Sequence, residues 1–136
     1  MKYIKFFLPI ILLTVPTHVL AGSTGLDLLR GCTAAVKSIE GQDLSPEEYF
    51  EMIYWTGFLA GFNDANIVTH YETQKPPYCP PVEGIQSEQL IRIVYKYLKN
   101  HPKDLHQNAR VCVLLAFRDA FFMQEIEPKQ SLQRTR

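Results

Sequence analysis

The chain has 136 residues with 14 basic and 14 acidic side chains, which is enough length for one domain with a single core. Loss of residues 1–21, a predicted signal peptide, would leave 12 basic and 14 acidic residues. Nucleic acid and anionic membranes both bind basic surfaces. We therefore expect neither to be a partner of the mature chain.

The N-terminus is typical of a secretory signal peptide. Lys2 and Lys5 form a short basic region, residues 6–15 form an apolar core, and small residues end the segment at Ala21. An N-terminal membrane anchor is disfavoured, because a bilayer span needs about 20 apolar residues. The pattern predicts export, with cleavage after Ala21 and a mature chain that begins at Gly22.

Four segments of the mature chain predict α-helices. Apolar residues recur at helical spacing over residues 25–39. Ser45 and Glu48 form a capping box, the pairing of serine with a glutamate three residues later that begins a helix. Residues 87–100 and about 103–124 carry two further apolar stripes.

These segments set the expected fold class and domain organisation. No stretch alternates between apolar and polar residues with period two, so we expect no sheet. The fold class is all-α, a small single-domain bundle of four main helices over residues 22–124. The short polar segment 125–136 is expected to be a flexible C-terminal tail.

Gly57 and Gly61 lie one turn apart in the aromatic segment of the second predicted helix. Each glycine costs a helix about 1 kcal/mol relative to alanine. A membrane dimer seam is excluded, because Glu51 and Asp64 confine the apolar run to about 12 residues. The explanations left are close packing against another helix, which we favour, and a ligand that reaches the backbone.

A long proline-rich connection, Val68 to Gln86, separates the second and third predicted helices. A loop of this length in a small domain is usually functional or disordered. It carries four candidate partner-binding residues, since stiff aromatic loops bind at low entropic cost: Tyr71, Glu72, Lys75 and Tyr78. The alternative is a covering loop whose tyrosines pack on the core of the protein.

Three cysteines, Cys32, Cys79 and Cys112, follow the signal peptide, and export permits disulfides. The odd number leaves one free thiol or an intermolecular link. The cysteines form no Cys-x-x-Cys motif and no zinc-ligand spacing with a histidine, so we expect neither a metal nor a cofactor. Cys112 with His106 could form a nucleophilic pair, but Cys112 lies in an apolar stripe. We expect no catalytic residues and no enzymatic activity.

Several segments resemble one known family. The sequence WTGFLAGFNDA at residues 55–65 is similar to a family motif of Cys-x-Gly-Tyr-Ile-x-Gly followed by Asp-Ala. Residues 78–109 are similar in order and spacing to its Cys-x-Pro, Gln-Leu and Val-x-x-Tyr-Leu-x-x-His-Pro segment. The sequence LLRGC at residues 28–32 resembles its first-helix cysteine. On these motifs the chain is identified as a member of the Rap/Tai-type immunity proteins.

The resemblance implies a periplasmic helical protein that neutralises a peptidoglycan amidase delivered by type VI secretion. We expect the chain to bind such an amidase and occlude its active site, and a homodimer is a further possibility. A periplasmic structural or chaperone-like helical protein without an amidase partner is the alternative.

The resemblance also bears on the disulfide. Trp55 and the Phe122-Met123 pair stand where the family often has cysteines. If those two absent cysteines would have paired with each other, the resemblance implies a Cys32–Cys79 disulfide. Pairing of either cysteine with Cys112 also satisfies the count.

Overall fold

The computed structural model describes residues 22–81 and 83–121, and these form four α-helices: α1 (Gly25–Ile39), α2 (Pro46–Thr73), α3 (Ser87–Asn100) and α4 (Ala109–Ala120). A 3-10 turn, Pro102–Asp104, joins α3 to α4. Within these residues a single β-bridge is present and no strand. The prediction of an all-α domain of four main helices is confirmed. The predicted signal peptide and C-terminal tail lie outside the described residues.

The capping box predicted from Ser45 and Glu48 begins α2 as expected. The Glu48 amide donates to Ser45 Oγ at 3.2 Å, and the Ser45 amide donates to Glu48 Oε2 at 2.9 Å. The second carboxylate oxygen of Glu48 accepts from Lys37 Nζ of α1 at 2.6 Å. This lysine, together with the Ser45 amide, lowers the pKa of Glu48 from its ordinary value of 4.5 to about 2. The cap therefore also ties α2 to α1.

The core surrounds α1, which packs against the other three helices. Six of the side chains that are almost fully buried come from all four helices: Leu28, Leu59, Val94, Leu98, Val113 and Phe117. Gly31 lets α1 approach α2 closely, because a Cβ atom at this position would overlap the Trp55 side chain. Burial of this apolar set supplies the main driving force for folding.

The second helix is longer than the sequence predicted. We expected the connection to start at Val68, but α2 continues to Thr73 and ends at Gln74, whose φ of 56° is left-handed. The polar segment at residues 63–66 does not weaken the helix, because two of its side chains, Asn63 and Asn66, are buried against the connection. The connection is therefore residues 74–86, and Tyr71 and Glu72 lie on the helix.

Gly57 and Gly61 do not pack against another helix of this chain. Both are exposed, and a Cβ atom added to either would meet no heavy atom within 4 Å. The buried side of α2 instead carries Trp55 and Leu59. Because α2 is apolar on several sides, its sequence does not reveal which side faces the core. The prediction of intrachain packing at these glycines is wrong, and Gly31 fills that role.

The three cysteines are free thiols, so the expected Cys32–Cys79 disulfide is not formed in this structure. Cys32 is buried in the core on α1, and burial raises its pKa to about 12. Cys79 is exposed, since the connection turns the neighbouring Tyr78 inward. Cys112 is buried on α4, where its Sγ donates to the Asp104 carbonyl at 3.4 Å.

Candidate functional site

The predicted partner-binding residues separate into two groups. Tyr71 is 83% exposed on the last turn of α2, and Glu72 and Lys75 beside it in sequence are exposed as well. Tyr78 is only 1% exposed and cannot reach a partner. We call Tyr71, Glu72 and Lys75 the α2 tip. The prediction that Tyr78 binds a partner is wrong. Its ring packs on the core, as expected for a covering loop.

Tyr78 fixes the connection to the helices. Its ring packs 5.1 Å from that of Phe117 and 6.1 Å from that of Phe121, between centroids. Its hydroxyl donates to Asn63 Oδ1 at 3.4 Å, and its carbonyl accepts from Asn66 Nδ2 at 3.1 Å. Burial, with Asp64 nearby, raises the pKa of Tyr78 well above its ordinary value. Tyr78 therefore remains a neutral anchor.

A second anchor comes from α4. Arg118 Nε donates to the Pro77 carbonyl at 3.1 Å, and the neighbouring Pro76 is buried. Prolines restrict the backbone on both sides of this point. The connection is thus held by α2 and α4, and its second residue, Lys75, belongs to the α2 tip.

A cavity of about 460 Å³ lies between the second half of α2 and the connection. It is lined by Asn63, Asn66, Ile67, His70, Pro76, Cys79, Pro80, Pro81, Gly84 and Ile85. We call it the connection cavity. The sequence analysis missed it, because the cavity depends on where a proline-rich segment settles against a helix. The only local signal is the pair of asparagines in an otherwise apolar helix.

The exposed glycines lie on a stripe of α2 that is apolar except for Asp64. Six residues recur with alternating spacings of four and three: Phe50, Tyr54, Gly57, Gly61, Asp64 and Val68. We call this the glycine stripe. All six are exposed, and Phe50 reaches 73%. Contiguous exposed apolar surface of this kind often marks an interaction site.

Two catalytic arrangements are relevant to the described residues: a metal site and a Cys112–His106 pair. In residues 22–81 and 83–121, no group of three or more His, Cys, Asp and Glu side chains could hold a metal ion. Cys112 does not resemble a nucleophile, since burial and the nearby Asp104 raise its pKa, whereas His106 is exposed.

Among the helices that the structure describes, none has the length and apolar character of a bilayer span.

The fold and these surfaces define a small helical protein with an exposed tip on α2, an anchored connection, a cavity and an exposed, mainly apolar stripe. Residues 24–121 match the family of Rap1a immunity proteins, which covers all four helices and the connection. The chain therefore belongs to this family, as the sequence resemblance implied. Membership implies an immunity protein that acts on a secreted effector by binding it. No curated protein and no solved structure matches the chain.

Proposed function

We propose that this protein acts in the periplasm, where it binds a secreted peptidoglycan amidase and occludes its active site. Three observations support the proposal: the match to the immunity family, the signal-peptide pattern of residues 1–21, and the exposed α2 tip beside an anchored connection. The cell wall that an amidase attacks is reached from the periplasm, so export places inhibitor and toxin in one compartment.

The α2 tip is the single observation that carries the inhibitory role. Tyr71 presents a large aromatic surface with a polar end, which is the kind of side chain that dominates binding energy in interfaces. Glu72 and Lys75 add charges that would steer the encounter. Because Tyr78 and Arg118 already hold the adjoining connection, little conformational entropy is lost when a partner docks.

Periplasmic co-expression with candidate amidases, scored by cell lysis, tests this function. The wild type should protect cells, and Tyr71→Ala should weaken binding by about 2 kcal/mol or more if Tyr71 is a hot spot. Val111→Ala is the control, because Val111 is also an exposed apolar side chain but lies on α4. Equal protection by both variants would place the amidase contact elsewhere on the protein.

The alternative function is a periplasmic structural or chaperone-like role without an amidase. The exposed glycine stripe favours this alternative, because exposed apolar surface can bind other protein chains. Protection against none of the tested amidases, with binding of unfolded periplasmic proteins, would support the alternative. An amidase gene beside this one would instead support immunity.

We further propose that the glycine stripe pairs with the same stripe of a second copy. Spacings of four and three residues are those of a helix–helix seam. An antiparallel pair centred on position 59 would set Gly57 against Gly61, Tyr54 against Asp64 and Phe50 against Val68. The stripe is therefore self-complementary, as a two-fold interface must be. The glycines would allow the helix backbones to approach closely.

The helix dipoles support the antiparallel arrangement, because the N-terminus of each α2 then lies beside the C-terminus of the other. In this pairing Glu47 of one copy lies nearest the α2 tip of the other, where Glu72 and Lys75 are both exposed.

Sedimentation of wild type and Gly61→Leu tests the dimer. Leucine at position 61 has open space in the monomer, so the variant should fold normally, yet it would block close approach of a second α2. We expect a wild-type dimer and a monomeric variant with unchanged far-UV circular dichroism. A monomeric wild type at high protein concentration would refute this arrangement.

A further inference from the structure

The residues just before α1 are bound to the start of α4. Residues 23–25 lie antiparallel to the segment that leads into α4, where they form the β-bridge. The Ser23 carbonyl accepts from the Ala109 amide at 2.8 Å, and the Gly25 amide donates to the Gln107 carbonyl at 2.8 Å. We call residues 23–25 the N-terminal clasp.

Packing and capping hold the clasp in place. Gly25 is buried, and a Cβ atom there would come within 2.8 Å of Cys112 Sγ. Thr24 caps α1, since its amide donates to Asp27 Oδ2 at 2.9 Å and its hydroxyl accepts from the Asp27 amide at 3.3 Å. Gly22 is exposed. The first tightly held residue of the described chain is therefore the one that follows Gly22.

This arrangement conflicts with proteolysis next to Gly22. A peptide that binds in an enzyme cleft as an extended strand uses its main-chain groups for hydrogen bonds to the enzyme. Cleavage after Ala21 would require such bonds close to Ser23, whose carbonyl is already bonded to Ala109. The clasp and a peptidase would therefore compete for the same stretch of backbone.

We propose that the N-terminal clasp protects the cleavage site, so that the signal peptide is removed before the clasp closes and a precursor that folds first resists the signal peptidase. The inference rests on the proposed export of the chain. Hydrolysis breaks the amide bond between Ala21 and Gly22, and water supplies the oxygen of the new carboxyl group and the hydrogen of the new amino group. In a folded precursor this step needs an open clasp, so its rate follows the population of the open form.

Proline at position 109 removes the hydrogen-bond donor of the clasp and preserves the start of α4. Ala109 is the first residue of the helix, where proline is tolerated because no helical bond uses its amide. Asn108 before it has φ −60° and ψ 135°, an extended conformation that a following proline favours. Ser87→Pro is the matched control, because Ser87 is the first residue of α3 and is exposed.

The test measures cleavage of the full-length chain by a bacterial signal peptidase in detergent micelles. A peptide of residues 1–30 gives the rate for an open site, since it lacks the strand that the clasp binds. The folded chain should be cut at least about tenfold more slowly than the peptide. Ala109→Pro should speed cleavage of the folded chain about fivefold, and Ser87→Pro should leave it unchanged. Equal rates for the two variants would overturn the inference.

Asp27→Ala is a second variant that opens the clasp without a proline. It removes the carboxylate that accepts from the Thr24 amide, and it changes no buried apolar contact of the clasp. Cleavage of this variant should also be faster than that of the wild type, with circular dichroism as the check that the helices are retained. A folded Asp27→Ala chain that is cut at the wild-type rate would contradict the role of the clasp.

The inference and the proposed function can fail separately. If the signal peptidase cuts the peptide and the folded chain at the same rate, the predicted export stands and the inference is overturned. If it does not cut the peptide after Ala21, both the predicted cleavage site and the inference are overturned. Binding of an amidase is measured on the mature chain, so a loss of that function leaves the inference unaffected.

Discussion

Replacing Gly57 or Gly61 with alanine should stabilise the isolated chain. Both positions are helical and exposed, and a Cβ atom at either meets nothing within 4 Å. Alanine is favoured over glycine by about 1 kcal/mol in a helix interior, and no clash offsets this gain. For a domain of this size, about 1 kcal/mol corresponds to a rise in Tm of roughly 4–8 °C. Two substitutions on one exposed face should add approximately.

The assay is thermal and urea unfolding over a range of protein concentrations. At concentrations where the chain is monomeric, both variants should unfold at higher temperature than wild type. At high concentration the difference in Tm between the variants and wild type should shrink or change sign. A dimer stabilises wild type by mass action, and a Cβ atom in the glycine stripe weakens that dimer. If the alanine variants had a lower Tm than wild type at every protein concentration, the conclusion that these glycines face open space would be refuted.

Gly31→Ala is the control that should behave in the opposite way. Its Cβ atom would overlap Trp55, and α1 and α2 would have to separate. Overpacking of this kind costs about 1–3 kcal/mol. If Gly31→Ala also raised the Tm, the contact with Trp55 would not determine how a glycine-to-alanine substitution affects stability.

Three further predictions concern the cap, the thiols and the anchor. Since the pKa of Glu48 falls from 4.5 to about 2 on folding, its stabilising effect is complete above pH 4.5 and lost as the pH falls to about 2. Urea unfolding should therefore separate Glu48→Gln from wild type at pH 6 but not at pH 2. Only Cys79 should react with maleimide before unfolding, as mass mapping would show. Tyr78→Ala should lower the free energy of unfolding by about 3–5 kcal/mol, against less than about 0.5 for Tyr71→Ala, in urea titrations.

Local sequence patterns predicted the start of α2 and both ends of α3, because the determinants of these positions are local, whereas α4 begins at Ala109 rather than near Lys103. The Ser45–Glu48 capping box needs only two side chains at a fixed spacing, and the structure reproduces both of its hydrogen bonds. The third helix, Ser87–Asn100, has the bounds that the sequence predicted around its apolar stripe. In each case the residues that decide the element lie within it.

The end of α2 and the role of its glycines depend on distant residues. Asn63 and Asn66 look like helix breakers in the sequence, but they are buried because Tyr78 brings partners for both side chains. Gly57 and Gly61 look like packing positions, but α1 packs against the side of α2 that carries Trp55. Because α2 is apolar on several sides, the periodicity of its sequence does not show whether the side with the glycines or the side with Trp55 faces the core. The exposure of Tyr71 was therefore predicted correctly and that of Tyr78 was not, whereas the binding role of the α2 tip stays a prediction.

The geometry of α2 predicts the stoichiometry of a complex with the amidase. In an antiparallel pair centred on position 59, the two copies of Tyr71 lie 24 residues apart along the helices, or about 36 Å at 1.5 Å per residue. The tips would then point away from each other, and each could enter a separate amidase. Light scattering should show two inhibitors with two amidases for wild type, and one with one for Gly61→Leu. A single amidase bound to a wild-type dimer would show that the tips are not independent.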